Sequence, residues 1–282
     1  MAAVLLQNNY GKSLVRMLKT TRRAERHDIF EVSVDTALEG DFADTHLTGD
    51  NAKVLPTDTQ KNTVYALARQ HEFASIEQFG LVLARHFLGV LPGTITGARI
   101  NLAQVLWHRV HTAKGPHPTT FESAGNERRI AEVVFDGKKA SVSGGIRELV
   151  VLKSTDSEFH GYPRDRYTTL KETTDRIVAT AVASRWEYTS DKVDFDRAYC
   201  AIRTAMMECF AGHYSLSVQQ TLYAMGAAAL EAAPEISTIR LSMPNKHYLS
   251  ANLEPFGLDN PNMIYVPTSE PHGLIEATVG RG

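Results

Sequence analysis

Hydrophobic and polar residues alternate near the start of the chain in a pattern that predicts a β-hairpin. Apolar side chains at Phe30, Val32 and Val34 are each separated by one polar residue, the two-residue period of a strand with one buried face. Residues 12–19 precede this strand and are expected to pair with it through a turn near Arg23. The chain is therefore predicted to open with two antiparallel strands.

Two helices are predicted after the hairpin, each from a capping signal followed by apolar residues at helical spacing. Residues 57–60 (Thr-Asp-Thr-Gln) have the capping-box spacing, and residues 75–78 (Ser-Ile-Glu-Gln) repeat that signal. Strands predicted over residues 99–110 and 127–135 complete the first half. Its order is two strands, two helices and two strands.

The second half of the chain repeats this order. The apolar side chains of residues 177–188 include Val178, Val182 and Trp186, which a strand places on one face. The predicted elements are strands over 149–152 and 177–188, a helix capped by Asp194, a helix that begins with the capping box at 217–220, and strands over 239–243 and 263–266.

This repetition predicts an α+β protein of two similar tandem domains, residues 1–139 and 140–282. Each domain is expected to be an antiparallel sheet with two helices on one face. The other face of each sheet would then be exposed and partly apolar, a surface that further subunits commonly cover. The sequence therefore predicts a homo-oligomer.

Composition excludes several classes of partner. The 282 residues contain 30 basic and 32 acidic side chains, for a net charge of −2, so nucleic acid or an anionic membrane bound through charge is not expected. No apolar run reaches transmembrane length, and residues 1–9 lack the features of a signal peptide. Cys200 and Cys209 would lie about 13 Å apart along one helix, beyond disulfide reach, which fits a reducing compartment. These features predict a soluble intracellular protein.

The segment 154–176 is the most informative stretch for function. It is rich in hydroxyl, charged and aromatic side chains, yet it lies between two apolar strand-like runs. Such a segment often carries a site, and the alternative is a solvated loop. Phe159 and Arg176 within it suit a planar anion, because a ring can stack on the ligand and a guanidinium can hold it through two hydrogen bonds.

Further polar clusters lie at the predicted element ends. Lys12 begins the first strand, and Thr57 with Asp58 begins a helix, where Thr57 is either a simple N-cap or part of an anion site. Gln219 offers an amide that can both donate to and accept from the edge of a heterocycle. Asn245-Lys246-His247 follow Pro244, which is expected to interrupt its strand and let these polar residues protrude.

Familiar cofactor and metal motifs are missing from the sequence. There is no GxGxxG, Walker loop, Cys-x-x-Cys or HExxH. His108 and His111 are three residues apart, a spacing that places them on opposite faces of a strand, so neither is interpreted as a metal ligand.

Six blocks of sequence are spread along nearly the whole chain: 9–12 (Asn-Tyr-Gly-Lys), 57–65, 152–176, 217–219, 244–248 and 273–279. In this order they resemble the urate oxidase (uricase) family. The resemblance implies two tandem tunnelling-fold (T-fold) domains per chain and a homotetramer whose sheets close into a barrel. It also implies oxidation of urate by O2 and water to 5-hydroxyisourate and hydrogen peroxide in purine degradation, with no metal and no organic cofactor.

The resemblance also implies a role for each site residue. Phe159 would stack on the purine, Arg176 and Gln219 would hold its edge, and the pocket would lie between subunits. Proton transfer would fall to Lys12, Thr57 and His247. The resemblance also places Leu170 and Val218 in the lining of the pocket. Asn245 would hold O2 or water together with Thr57. Asp58 and Thr57 would enter the pocket from the neighbouring subunit.

Eukaryotic members of this family commonly end in a peroxisomal Ser-Lys-Leu type signal, whereas this sequence ends in Val279-Gly280-Arg281-Gly282, so a cytoplasmic location is expected.

The alternative function is a non-catalytic purine- or pterin-binding protein on the same fold. A pure binding protein would not need Lys12, Thr57 and His247 together.

Overall fold

Long antiparallel strands flank two groups of helices in the computed structural model, which describes residues 3–282 apart from the side chain of Ser269. The first half contains β1 (Val15–Arg22), β2 (His27–Gly40), α1 (Ala43–Leu47), α2 (Thr57–Gln70), α3 (Ile76–Val90), β3 (Ile95–Thr112) and β4 (Gly115–Phe135). The second half contains β5 (Ala140–Lys153), β6 (Val178–Tyr188), α4 (Phe195–Gly212), α5 (Val218–Ala232), β7 (Ile236–Ser250), a short 3-10 helix (Glu254–Phe256) and β8 (Tyr265–Gly280). The predicted α+β class is confirmed.

The chain divides into two compact units. One unit runs up to Gly145 and takes in Glu187–Tyr199, and the other comprises Ile146–Trp186 and Cys200–Gly282. In the first unit, β1 to β4 are neighbours in chain order and pair antiparallel. In the second, β7 and β8 pair antiparallel.

The second long helix of each unit packs closely on two strands through a glycine. A side chain at Gly80 of α3 would place its Cβ 2.7 Å from Val133 of β4, and one at Gly226 of α5 would place its Cβ 2.7 Å from Val279 of β8. A real Cβ does not approach another carbon so closely. The two helices therefore lie against their strands in the same way.

Both of these helices also begin with the same capping arrangement. Ser75 accepts a hydrogen bond from the backbone N–H of Gln78 at 3.2 Å, and Ser217 accepts one from the N–H of Gln220 at 3.1 Å. Each glutamine in turn accepts from the N–H just before the serine, at 2.9 Å in both cases. The capping signals predicted at these two positions are confirmed, and each satisfies N–H groups that the helix leaves without a partner.

Several predicted strand boundaries are wrong. β1 begins at Val15 rather than at Lys12, because Leu14 has a left-handed backbone (φ 56°) and its N–H bonds to the Asp35 carboxylate at 2.6 Å. β4 begins at Gly115 rather than at residue 127, and the last strand covers Tyr265–Gly280 rather than residues 263–266. Prolines, glycines and polar residues obscure the alternation in these longer strands.

The expected interruption at Pro244 is also wrong. β7 continues to Ser250, and Pro244 lies opposite Leu274 of β8. The register shifts only between Asn245 and His247. Proline has no N–H to donate to the neighbouring strand, and here it lies beside a place where the hydrogen bonding between β7 and β8 is already irregular. A sheet tolerates proline at such a position.

Candidate functional site

Lys12 is carried by a segment that packs directly on β2. Tyr10 exchanges backbone hydrogen bonds with Leu38, at 3.2 and 2.8 Å, and the carbonyl of Lys12 accepts from the N–H of Thr36 at 2.9 Å. Between them, a Cβ at Gly11 would lie 1.6 Å from the Thr36 carbonyl oxygen. Only glycine allows this approach, so the Tyr-Gly-Lys sequence fixes the backbone of Lys12 against the sheet.

Thr57 is the first residue of α2, and the expectation that it caps the helix is wrong. The N-cap is Pro56, which has an extended backbone (ψ 138°) and whose carbonyl accepts from the N–H of Gln60 at 3.1 Å. The helix thus begins one residue earlier than a Thr57 cap would require. Within residues 3–282 no side-chain hydrogen bond involves the half-buried Thr57 hydroxyl, which leaves it able to donate and accept elsewhere.

Asp58 follows at the exposed start of the same helix. Its carboxylate forms a hydrogen bond with Lys61 and another, at 3.1 Å, with Asn62. The bond from Lys61 holds the pKa of Asp58 below its usual value, and the nearby charge of Lys12 acts in the same direction. The first unit therefore brings Lys12, Thr57 and Asp58 to one place.

The segment 154–176 is anchored by backbone pairing at both of its ends. Phe159 and Thr173 exchange hydrogen bonds at 2.8 and 3.1 Å, and the N–H of Arg176 donates to the carbonyl of the buried Ser157 at 2.9 Å. These bonds hold Phe159 and Arg176 on adjacent stretches of chain.

The same segment is joined to the residues that lead into α5. The N–H of Glu158 donates to the carbonyl of Ser215, and the N–H of Ser215 donates to the carbonyl of Asp156, both at 2.9 Å. α5 then begins with the buried Val218, followed by the exposed Gln219. Three parts of the second unit, around residues 159, 176 and 218, are thereby held together.

The Arg176 guanidinium lies above the Phe159 ring, with its Cζ 5.2 Å from the ring centroid. Its Nε contacts the Ser157 hydroxyl at 3.4 Å, and among the described residues no carboxylate forms an ion pair with it. Burial lowers the pKa of this guanidinium. A partly desolvated cation beside an aromatic ring is well placed to bind a planar anion.

Leu170 and Phe159 are both contacted by Tyr162. The Tyr162 ring stacks on Phe159 at 5.0 Å between centroids and 16° between planes, and its hydroxyl donates to the Leu170 carbonyl at 2.8 Å. Leu170 is 56% exposed. Tyr162 thus joins the middle of the segment to the ring predicted to bind the substrate.

Asn245 and His247 are half-buried on β7, also in the second unit. Asn245 lies opposite Gly273 and His247 opposite Thr268, on either side of the register shift. The predicted site residues therefore fall into two groups. Lys12, Thr57 and Asp58 belong to the first unit, and the remaining seven belong to the second.

Sequence reasoning missed two buried polar residues beside Lys12 and Thr57, namely Thr36 and Gln60, which are 4% and 0% exposed. A signal for Gln60 was present. It occupies the first position of the α2 stripe that continues with Val64, Leu67 and Ala68, all buried and apolar. A polar residue at such a position needs hydrogen-bond partners within the protein.

The described residues contain no group of three or more His, Cys, Asp or Glu side chains arranged to hold a metal ion. In the same part of the chain, no helix combines the length and apolar character needed to cross a membrane.

Comparison with known proteins gives a consistent result. The sequence model of the uricase family matches residues 8–134 and 142–276. The uricase of Arthrobacter globiformis is 48% identical over 99% of this chain and 90% of its own length, and the uricase of Dictyostelium discoideum is 36% identical over 99% and 98%. The crystal structure of the Arthrobacter globiformis uricase superposes with a TM-score of 0.94, at 47% identity, over 100% of this chain and 96% of that one.

The family match covers both halves of the chain, and both groups of predicted site residues lie within its limits. The chain belongs to the uricase family and has urate oxidase activity.

Proposed function

We propose that the protein converts urate, O2 and water into 5-hydroxyisourate and hydrogen peroxide, using no metal and no organic cofactor. Two electrons and two protons leave urate, O2 takes them up to become hydrogen peroxide, and water supplies the hydroxyl group added to the ring. The protein then has to bind the ring, move protons and hold O2 or water beside the ring. The observation that carries this proposal is the Arg176 guanidinium above the Phe159 ring without a carboxylate partner among the described residues.

In this proposal the second unit binds the substrate. Phe159 stacks on the purine, Arg176 pairs with its anionic edge, and Gln219 both donates to and accepts from the neighbouring N–H and C=O groups. Leu170 and Val218 line the pocket. The backbone bonds from residue 158 to residue 215 and from residue 159 to residue 173 support this assignment, since they hold these groups on connected stretches of backbone.

Proton transfer is assigned to Lys12, Thr57 and His247. Removal of a further proton from the urate anion makes it electron-rich enough to reduce O2. The Thr57 hydroxyl can pass a proton because it both donates and accepts, and it has no competing side-chain bond among the described residues. Asn245 and Thr57 would hold O2 or water above the ring.

The site is further proposed to form between two copies of the chain in a homotetramer of tandem T-fold domains, residues 1–139 and 140–282. Thr57 and Asp58 of one copy would complete the pocket formed by the second unit of another. The repeated element order and the matching packing of α3 and α5 support two related domains. A pocket shared in this way would make activity depend on assembly.

The experiment that tests this function follows urate loss, O2 uptake and peroxide release together, in buffer containing a metal chelator and no added cofactor. Equal consumption of urate and O2 with one equivalent of peroxide is expected. A requirement for added metal would contradict the cofactor-free mechanism. Urate binding without turnover would instead favour a binding protein.

A further inference from the structure

Two buried polar side chains link the segment that carries Lys12 to the helix that carries Thr57. The hydroxyl of Thr36 on β2 donates to Oε1 of Gln60 in the first turn of α2 at 2.7 Å. The same hydroxyl oxygen accepts from the backbone N–H of Lys12 at 3.0 Å. Thr36 is 4% exposed and Gln60 0% exposed, so water has little access to the bond between their side chains.

The other end of Gln60 closes a ring of hydrogen bonds. Its Nε2 donates to the Leu55 carbonyl at 3.4 Å, and the Leu55 N–H donates to the hydroxyl of Tyr10 at 2.7 Å. The ring thus returns to the chain just before Lys12. Thr57 lies between Leu55 and Gln60, so both proposed proton-transfer residues of this unit are on stretches of backbone that the ring holds.

We infer that Thr36 and Gln60, here called the Thr36–Gln60 clasp, position Lys12 against Thr57 for proton transfer. This inference rests on the proposed function. Neither clasp residue touches the substrate in it, and both act through the backbone of Lys12 and of the α2 start. They are positioning residues.

The location of Gln60 argues for positioning rather than for simple filling of the core. The rest of its stripe on α2 is apolar, and an apolar side chain at residue 60 would fill the space without burying an amide. Hydrogen bonds add direction, because each fixes both a distance and an angle between two groups. Buried polar groups can favour one specific arrangement in this way, and the arrangement held here is the one between Lys12 and Thr57.

The test uses near-isosteric variants that remove the bonds and keep the volume. Thr36→Val removes the hydroxyl and Gln60→Met removes the amide. Each is expected to lower kcat roughly ten- to a hundredfold, the scale of a misplacement of about 1 Å, with the KM for urate changed less than twofold. Thr36→Ser keeps the hydroxyl and is expected to retain most of the turnover.

Two reference variants make the result interpretable. Phe87→Leu trims a fully buried side chain of α3 in the same unit and lowers Tm without touching the clasp, while Lys12→Met removes the proposed proton carrier. The inference holds if the clasp variants lose far more kcat than Phe87→Leu at a similar Tm.

Wild-type kcat in Thr36→Val and Gln60→Met, together with inactive Lys12→Met, would overturn the clasp and leave the proposed function standing. A loss no larger than that of Phe87→Leu at equal Tm would show a merely structural role and would also overturn it. Full activity of Lys12→Met would overturn the proposed proton transfer itself, and with it the clasp.

Discussion

The two groups of site residues are held in different ways. In the first unit, Lys12 and Thr57 lie on backbone fixed by a partly buried ring of hydrogen bonds and by a glycine pressed against β2. In the second, Phe159 and Arg176 belong to a largely exposed segment whose ends are anchored by backbone pairing.

This difference matches the roles proposed for these four residues, proton transfer for Lys12 and Thr57 and substrate binding for Phe159 and Arg176. Proton transfer needs donor and acceptor within hydrogen-bond reach, so a small displacement costs rate. A flat ring must enter and leave, and stacking tolerates small shifts of the aromatic partner because it depends on overlapping area. Lys12 and Thr57 of the first unit are therefore expected to control turnover, whereas Phe159 and Arg176 of the second unit are expected to control affinity.

The largest effect is expected for Lys12→Met. Turnover should fall by about 10²- to 10⁴-fold, the usual contribution of a general acid or base, while urate affinity changes little. Steady-state kinetics and direct urate binding separate the two quantities. Lys138→Met, which alters an exposed lysine of the same unit, is the control. Equal losses of binding and turnover in Lys12→Met would contradict the division of roles.

Arg176→Ala is expected to act on affinity instead. Loss of a charge-assisted contact of about 3 kcal/mol corresponds to a rise in KM of roughly a hundredfold. Arg166→Ala, in the exposed middle of the same segment, should leave KM close to that of the unmodified protein. An unchanged KM in Arg176→Ala would remove this residue from substrate binding.

Mixing these two variants tests whether the two groups meet between copies of the chain. Each variant alone is expected to be nearly inactive under limiting urate. In randomly mixed oligomers of Lys12→Met and Arg176→Ala chains, about a quarter of all sites should be intact, because half of the chains supply each unmodified group. Co-expressed chains with different affinity tags, purified for both tags, provide the mixed sample. A site formed within one chain would give no recovery.

The smallest expected effect compares the two serine caps. Ser217→Ala and Ser75→Ala should each lower the free energy of unfolding by about 1 kcal/mol, since each removes one N-cap hydrogen bond. Only Ser217→Ala should also raise the KM for urate, by a few-fold, because Gln219 lies two residues after that cap. Urea unfolding gives the stabilities. A rise in KM for both variants would indicate a general effect of lowered stability.

Local signals predicted much of the fold correctly. The serine caps of α3 and α5, the Asp194 cap of α4 and the buried face of β6 all follow from spacing along a short stretch of chain. Asp194 accepts from the N–H of Arg197 at 3.1 Å, as the capping pattern predicts. The same reasoning failed at Thr57, because the extended Pro56 before it provides the N-cap.

The sequence by itself determined the α+β class, the repeated element order and the family, since capping spacings and motif blocks are local and appear directly in the order of residues. Only the tertiary structure decided how Lys12 is held near Thr57. Thr36 and Gln60 are 24 residues apart, and nothing in the spacing of either residue indicates the other. Their bond exists because β2 and the start of α2 pack together and leave two polar groups in a place that water does not reach.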